Sequence, residues 1–272
     1  MPFTISHAAA VLPFSRPLAR WRLLSAAVIG SMAPDFGWFL PSRPARFETH
    51  SLDALVTFCL PVGLAAYWLF QWLVKPPIME LLPPGAYVRW QISAAPADFR
   101  SLRQWLFAAL GLLAGALTHL VWDAFTHEGA RGVRMIPVLD DPVDIGGRLF
   151  HGPYLLQDAS SGIGLAAILA VLIYSLRPGR GDALLVPRRL DPPERYLWVA
   201  VYVLAALLFS VLFFEFRHWP WPPPPSPIGV RLGSAAIASL RGLAAALICV
   251  SAALTVRLHM RSAHGKSARK DS

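Results

Sequence analysis

Five stretches of the chain stay apolar over roughly the length a bilayer demands: residues 52–74, 102–125, 160–176, 196–216 and 233–256. About twenty apolar residues in a helix cross the hydrocarbon core. The pattern therefore predicts five membrane-spanning helices, of which the third is the shortest. A sixth apolar stretch, 18–32, is different. Arg16, Arg20 and Arg22 crowd its start, Pro34 follows its end, and as a helix it would reach only ~22 Å. It predicts a short N-terminal helix that packs against the bundle without spanning. The fold class that follows is all-α: an integral membrane helical bundle with about five transmembrane helices plus that short helix.

Between the spans the chain turns polar or breaks. Residues 75–103 hold Pro76, Pro77, Pro83 and Pro84 among Lys75, Arg89, Arg100 and Arg103. Residues 128–159 are rich in glycine and aspartate, with Asp140, Asp141, Asp144 and Asp158. Residues 177–195 contain five arginines. Pro220 and the run 222–225 predict a stiff polyproline piece, and the residues from His259 onward read as a disordered basic tail. The division expected is a membrane-embedded metal-site domain over 1–165, additional transmembrane helices over 166–256, and a basic cytoplasmic tail over 257–272.

Composition agrees with a membrane class. Of 272 residues, 55% are hydrophobic and only 15% charged, too apolar for an ordinary soluble domain. The net charge of +9 sits largely in loops and tail, which suits an anionic leaflet better than nucleic acid. Cys59 and Cys249 lie inside apolar runs without metal-ligand spacing and read as packing residues. Pro2, His7 and Pro13 precede any apolar core, so no cleavable signal peptide is expected. Placing the arginine-rich 177–195 loop and the tail inside puts 128–159, 217–231 and everything before Leu52 outside.

The candidate chemistry sits at that outer end. Thr118 to His127 reads THLVWDAFTH, with His119, Asp123 and His127 four residues apart along one helical stripe. Ionisable groups at the end of an apolar span are costly unless compensated, and a bound cation compensates all three. His119 and Asp123 can meet at one ion. His127 lies ~12 Å along the helix from His119, so it serves a second ion bridged by Asp123 or stands behind the ligands. His7, Asp35 and His50 fall on the same outer side. Histidine with carboxylate is the donor set of zinc and similar divalent ions. Asp35 after Pro34 also suits a helix cap. His151 reads either way, and His218, His259 and His264 read as structural.

The opening MPFTISHAAAVLP, the VIGSMAPDF and HSLDALVTFCLPVGL runs and THLVWDAFTH together resemble a bacterial family of uncharacterised integral membrane proteins. That family is similar to the YdjM-like membrane-bound metal-dependent hydrolases and, more distantly, to zinc-dependent phospholipase C. The resemblance covers roughly residues 1–165. It implies His7, Asp35, His50, His119 and Asp123 as direct ligands of one or two zinc ions. The sequence departs from the pattern at Ala45, Arg46 and Phe47, where only Arg46 matches, and at Asp158, where the family often has histidine.

Two functions follow. The first is a metal-dependent hydrolase of the bacterial inner membrane, its site facing outside, acting on an amphipathic, phospholipid-like phosphodiester. Glu48 or Asp53 is then a candidate general base, and Arg46, Arg131 or Arg134 a candidate phosphate-holding residue. The second is a non-enzymatic membrane protein with a structural, sensed or transported ion. The partners expected are the bilayer and an amphipathic substrate, with no nucleic acid.

Overall fold

The computed structural model describes residues 4–40, 44–83, 86–87, 97–177, 189–217 and 228–268, with backbone alone at 46–47, 216–217, 228–233 and 262–268. Five helices are long and apolar enough to cross a membrane: Leu55–Leu81, Leu102–Thr126, Gly152–Leu176, Pro192–Glu215 and Ser234–Arg261. Two short helices, Ser15–Arg20 and Leu24–Gly30, precede them. The chain is an all-α, multi-pass membrane protein. A small hairpin pairs Val143–Ile145 with Arg148–Phe150 between the second and third spans. The polyproline run and most of the arginine-rich loop lie outside the described residues.

Several boundaries differ from the apolar pattern. The first span continues past Val74 as Lys75–Leu81. Pro76 and Pro77 occupy the first turn of that segment, directly after the π-helical turn Phe70–Val74, where missing N–H groups cost least. The third span starts at Gly152 rather than 160. Asp158 interrupts the apolar run but lies on an exposed side of an unbroken helix. The last helix is Ile228–Ala268, so the expected disordered tail is helical up to Ala268. Met260, Arg261, Ala263, Lys266 and Ala268 favour helix in that tail, and Gly265 costs only about 1 kcal/mol there.

The sixth apolar stretch forms two helices instead of one. The N–H of Leu23 bonds Leu18 O at 2.7 Å and that of Arg22 bonds Ala19 O at 3.0 Å. This pair of bonds closes a helix with its next residue left-handed. Arg22 takes that position, at φ 58°. Neither half spans a bilayer, so the chain returns to the side it came from.

The chain divides into two compact units, residues 1–68 with 97–175, and 69–96 with 176–272. The boundary expected at 165 thus falls inside the third span. In the second unit, Leu190, Leu254 and Leu258 form a core with Leu81, Trp198 and Tyr202 around it. Glu194 there pairs with Arg257 at 3.3 Å and Arg261 at 2.8 Å.

The first unit is built on small residues. A side chain at Gly115 would lie 2.0 Å from Ala27 O, and one at Gly30 would lie 2.2 Å from Leu112 O. Gly111 meets Ala26 in the same way. Without a hydrophobic force between helices in lipid, such small-residue seams let backbones approach and pack. Gly111, Gly115, His119 and Asp123 follow one another at intervals of four, so the seam of the second span runs directly into its ionisable stripe.

Candidate metal centre

Each side chain reaches the centre by a local reason. Ser101 caps the second span, accepting from Gln104 N at 3.4 Å, and the helix carries buried His119 and Asp123 near its far end. Close packing of Leu24–Gly30 on the glycine seam brings Ser31 O to 2.8 Å from His119 Nδ1. A carbonyl only accepts, so Nδ1 carries the proton and Nε2 presents its lone pair to the centre. Thr4–Phe14 winds as a 3-10 helix, whose threefold period aligns Thr4 with His7. The Thr4 hydroxyl donates to Asp35 Oδ2 at 2.7 Å. Asp35 itself lies in the 3-10 turn Ala33–Phe39, which Pro34 starts. The turn Arg46–Thr49 presents His50, with Thr49 Oγ1 2.6 Å from His50 Nδ1.

The donor atoms converge. His50 Nε2 is 3.3 Å from Asp35 Oδ1 and 3.8 Å from Asp123 Oδ2. His119 Nε2 is 4.0 Å from Asp35 Oδ1 and 3.5 Å from Asp123 Oδ2. Two donors on a tetrahedral ion with bonds near 2.1 Å stand ~3.4 Å apart, so each of these four pairs is spaced as donors that share an ion. The other carboxylate oxygen serves different neighbours. Asp123 Oδ1 is 3.6 Å from His7 Nε2 and 3.4 Å from His127 Nδ1. The trios Asp35, His50, His119 and His7, His119, Asp123 each bring donors within 4.8 Å of one another. These buried groups can hold a divalent cation.

Burial makes the need for a partner acute. His7 Nδ1 and Nε2, His50 Nε2 and His119 Nε2 are buried and make no hydrogen bond. Each such atom costs about 1–3 kcal/mol if nothing satisfies it, and a cation in their midst would satisfy the inward-facing nitrogens. The His7 ring stacks on His119 with centroids 3.7 Å apart, and Trp122 closes its edge at 5.5 Å. Trp122 is held by Ser160 of the third span at 3.1 Å. Burial, with His119 beside it, pushes the His7 imidazole down to about 4. Burial raises the Asp35 carboxyl, but the His50 ring 3.3 Å away, the charge of His119 and the Thr4 hydroxyl outweigh it and hold the group below its ordinary range.

All six residues singled out as metal-binding, His7, Asp35, His50, His119, Asp123 and His127, meet here, but His127 does so differently from expectation. The helix ends at Thr126 and His127 is extended, at φ −118° and ψ 138°, so it leaves the stripe and approaches Asp123 through Nδ1. Glu48 is exposed, and its carboxylate accepts from Ala45 N at 2.6 Å, a capping use. The side chain of Arg46 lies outside the described residues. Asp158 is exposed, and His151 pairs with Asp140 at 4.0 Å. Sequence reasoning missed three contributors: Thr4, Thr49 and the Gly111/Gly115 seam. The spacing of two glycines four apart in an apolar helix was the available signal for the last.

A cavity of about 280 Å³ opens beside the centre, lined by Pro34, Gly37, Trp38, Pro44, Ala45, Thr49 and His50. Its walls are mostly apolar, and His50 joins it to the cluster.

Fold and site together define a multi-pass membrane protein with a buried histidine–aspartate cluster at the end of its second span. Residues 1–252 match the family described as a domain of unknown function, DUF4184, and the chain belongs to that family. No curated protein and no solved structure matches it.

Proposed function

We propose that this chain is a membrane-bound, metal-dependent hydrolase of the bacterial inner membrane, with zinc in one or two positions at the outer face. Its substrate is an amphipathic, phospholipid-like phosphodiester. The observation that carries the reading is the spacing of Asp35, His50, His119 and Asp123, whose inward donor atoms stand 3.3–4.0 Å apart in four histidine–aspartate pairs. The resemblance of the same motifs to YdjM-like hydrolases and zinc-dependent phospholipase C supports it. A bound divalent ion supplies Lewis-acid chemistry there, polarising a phosphoryl oxygen and acidifying water. The chain's own residues do the rest. Asp123 turns one oxygen to His50 and His119 and the other to His7 and His127, so it would hold an ion on either side. Pro34, Trp38 and Pro44 offer an apolar wall to the substrate's hydrocarbon part, while His50 keeps the polar end at the cluster. Glu48 is not assigned a role, because its carboxylate caps Ala45.

One observation favours the second reading, a structural, sensed or transported ion. Four protein donors around one position close it, whereas a catalytic ion keeps a position open. The test is zinc-loaded protein in nanodiscs supplied with phosphatidylcholine and with a chromogenic phosphodiester. The expected result is hydrolysis that chelation removes, zinc restores and Asp123→Ala abolishes. Stoichiometric zinc with no turnover of either substrate would leave the non-enzymatic reading.

A further inference from the structure

We propose that the segment between the second and third spans is a membrane-interface element whose hairpin lays one face into the lipid of the leaflet on the cluster's side. Between residues 135 and 150 the large apolar side chains Met135, Val138, Val143, Ile145 and Phe150 are exposed, Ile145 at 53% and Val143 at 44%. A two-stranded hairpin is marginal alone in water and has no reason to show such a surface to solvent. Its place in the chain says what covers it. Thr126 ends one spanning helix and Gly152 begins the next, so Phe150 is two residues, at most ~7 Å of chain, from a span. A side chain at Gly152 would lie 2.3 Å from Leu139 O and 2.8 Å from Asp141 O, which seats residues 139–141 directly on the start of that span. The third span has 25 residues, ~37 Å of helix against a ~30 Å hydrocarbon core, so its first turn stands at headgroup level and holds the segment there.

The pairing register sorts the hairpin faces. Val143 pairs with Phe150 and Ile145 with Arg148, which places Val143, Ile145 and Phe150 on one face with Arg148 at its tip end. Asp144 pairs with Leu149 on the other. Gly146 and Gly147, at φ 64° and 81°, make the tight turn, and Asp144 Oδ1 accepts from Gly147 N at 2.8 Å. Charge does not drive the contact. Residues 128–150 hold Arg131, Arg134 and Arg148 against Glu128, Asp140, Asp141 and Asp144. The partner is therefore the apolar boundary of a zwitterionic leaflet, reached by insertion and insensitive to salt.

The experiment places single cysteines at Ile145 and at Asp144 in a Cys59→Ala, Cys249→Ser background. Each is labelled with an environment-sensitive fluorophore in phosphatidylcholine nanodiscs holding one copy. The expected result is blue-shifted emission at 145, quenched by a lipid spin-labelled near the headgroup and unchanged in high salt. The 144 label is then water-like and quenched by iodide. Water-like emission at both positions would overturn the proposal. So would protection at 145 that appears only with two or more copies per disc, because the occupant would then be another copy of the chain.

Discussion

The hydroxyl of Thr49 lies 2.6 Å from His50 Nδ1, and that of Thr4 donates to Asp35 at 2.7 Å. Such supporting bonds orient a ligand and tune its basicity, and losing one typically costs 10–100-fold in metal affinity. Thr49→Val and Thr4→Val should each weaken zinc binding by about that much in chelator competition, while helix content stays unchanged. His7 supplies a pH dependence. Its folded value, about 4, is below the ordinary 6.5, so the fold holds it neutral. That contribution is complete above pH 6.5 and is lost as pH falls towards 4. Metal-free protein should lose on the order of 3 kcal/mol over that window through His7 alone, seen as a falling thermal midpoint, with a shallower fall in His7→Ala. At this scale the sequence was most legible where spacing is local. His119 and Asp123 sit one turn apart on a helix that the apolar pattern predicts, and they face the same way. His127 stays beside Asp123 although the helix stops at Thr126, a stop that the apolar pattern does not show. Thr49 and Thr4 escaped because a hydroxyl has many uses and only the fold shows which imidazole or carboxylate it meets.

Two elements fix where the ligands stand. The Gly111/Gly115 seam sets how closely Leu24–Gly30 approaches the second span, and thereby places Ser31 O on His119. Gly115→Leu would drive a side chain into the Ala27 backbone, where even a Cβ lies 2.0 Å from Ala27 O. The variant should lower the unfolding midpoint and lose bound metal together, read by thermal scan and metal analysis on one sample. The break between the two short helices acts in the other direction. Arg22 holds a left-handed conformation that costs a non-glycine residue roughly 1 kcal/mol. Arg22→Gly relieves it and should raise stability by up to about 1 kcal/mol. The apolar pattern showed that this stretch is too short to span but not that it breaks, because arginine gives no warning of positive φ. Likewise it found all five spans but cut the first and third short, since a lone Asp158 or a pair of prolines interrupts hydropathy without interrupting a helix.

At the scale of the molecule, five spans and a non-spanning start put residues before 55 and the loop after Thr126 on one side of the membrane, whatever the orientation. In the proposed orientation, with the arginine-rich loop and the tail inside, this side is the outer one. A cysteine at Asp141 should then label on intact cells, and one at Asp191 only after permeabilisation; the reverse pattern would invert the topology. The proposed function requires that His50, His119, Asp35 and Asp123 hold a cation. Elemental analysis of detergent-purified protein after zinc loading and desalting tests it directly, with wild type beside Asp123→Ala and His50→Ala. The wild type should hold at least one zinc per chain, and both variants should lose zinc without loss of helical signal. A wild-type protein that retains no zinc, or variants that retain as much as it does, would contradict that requirement.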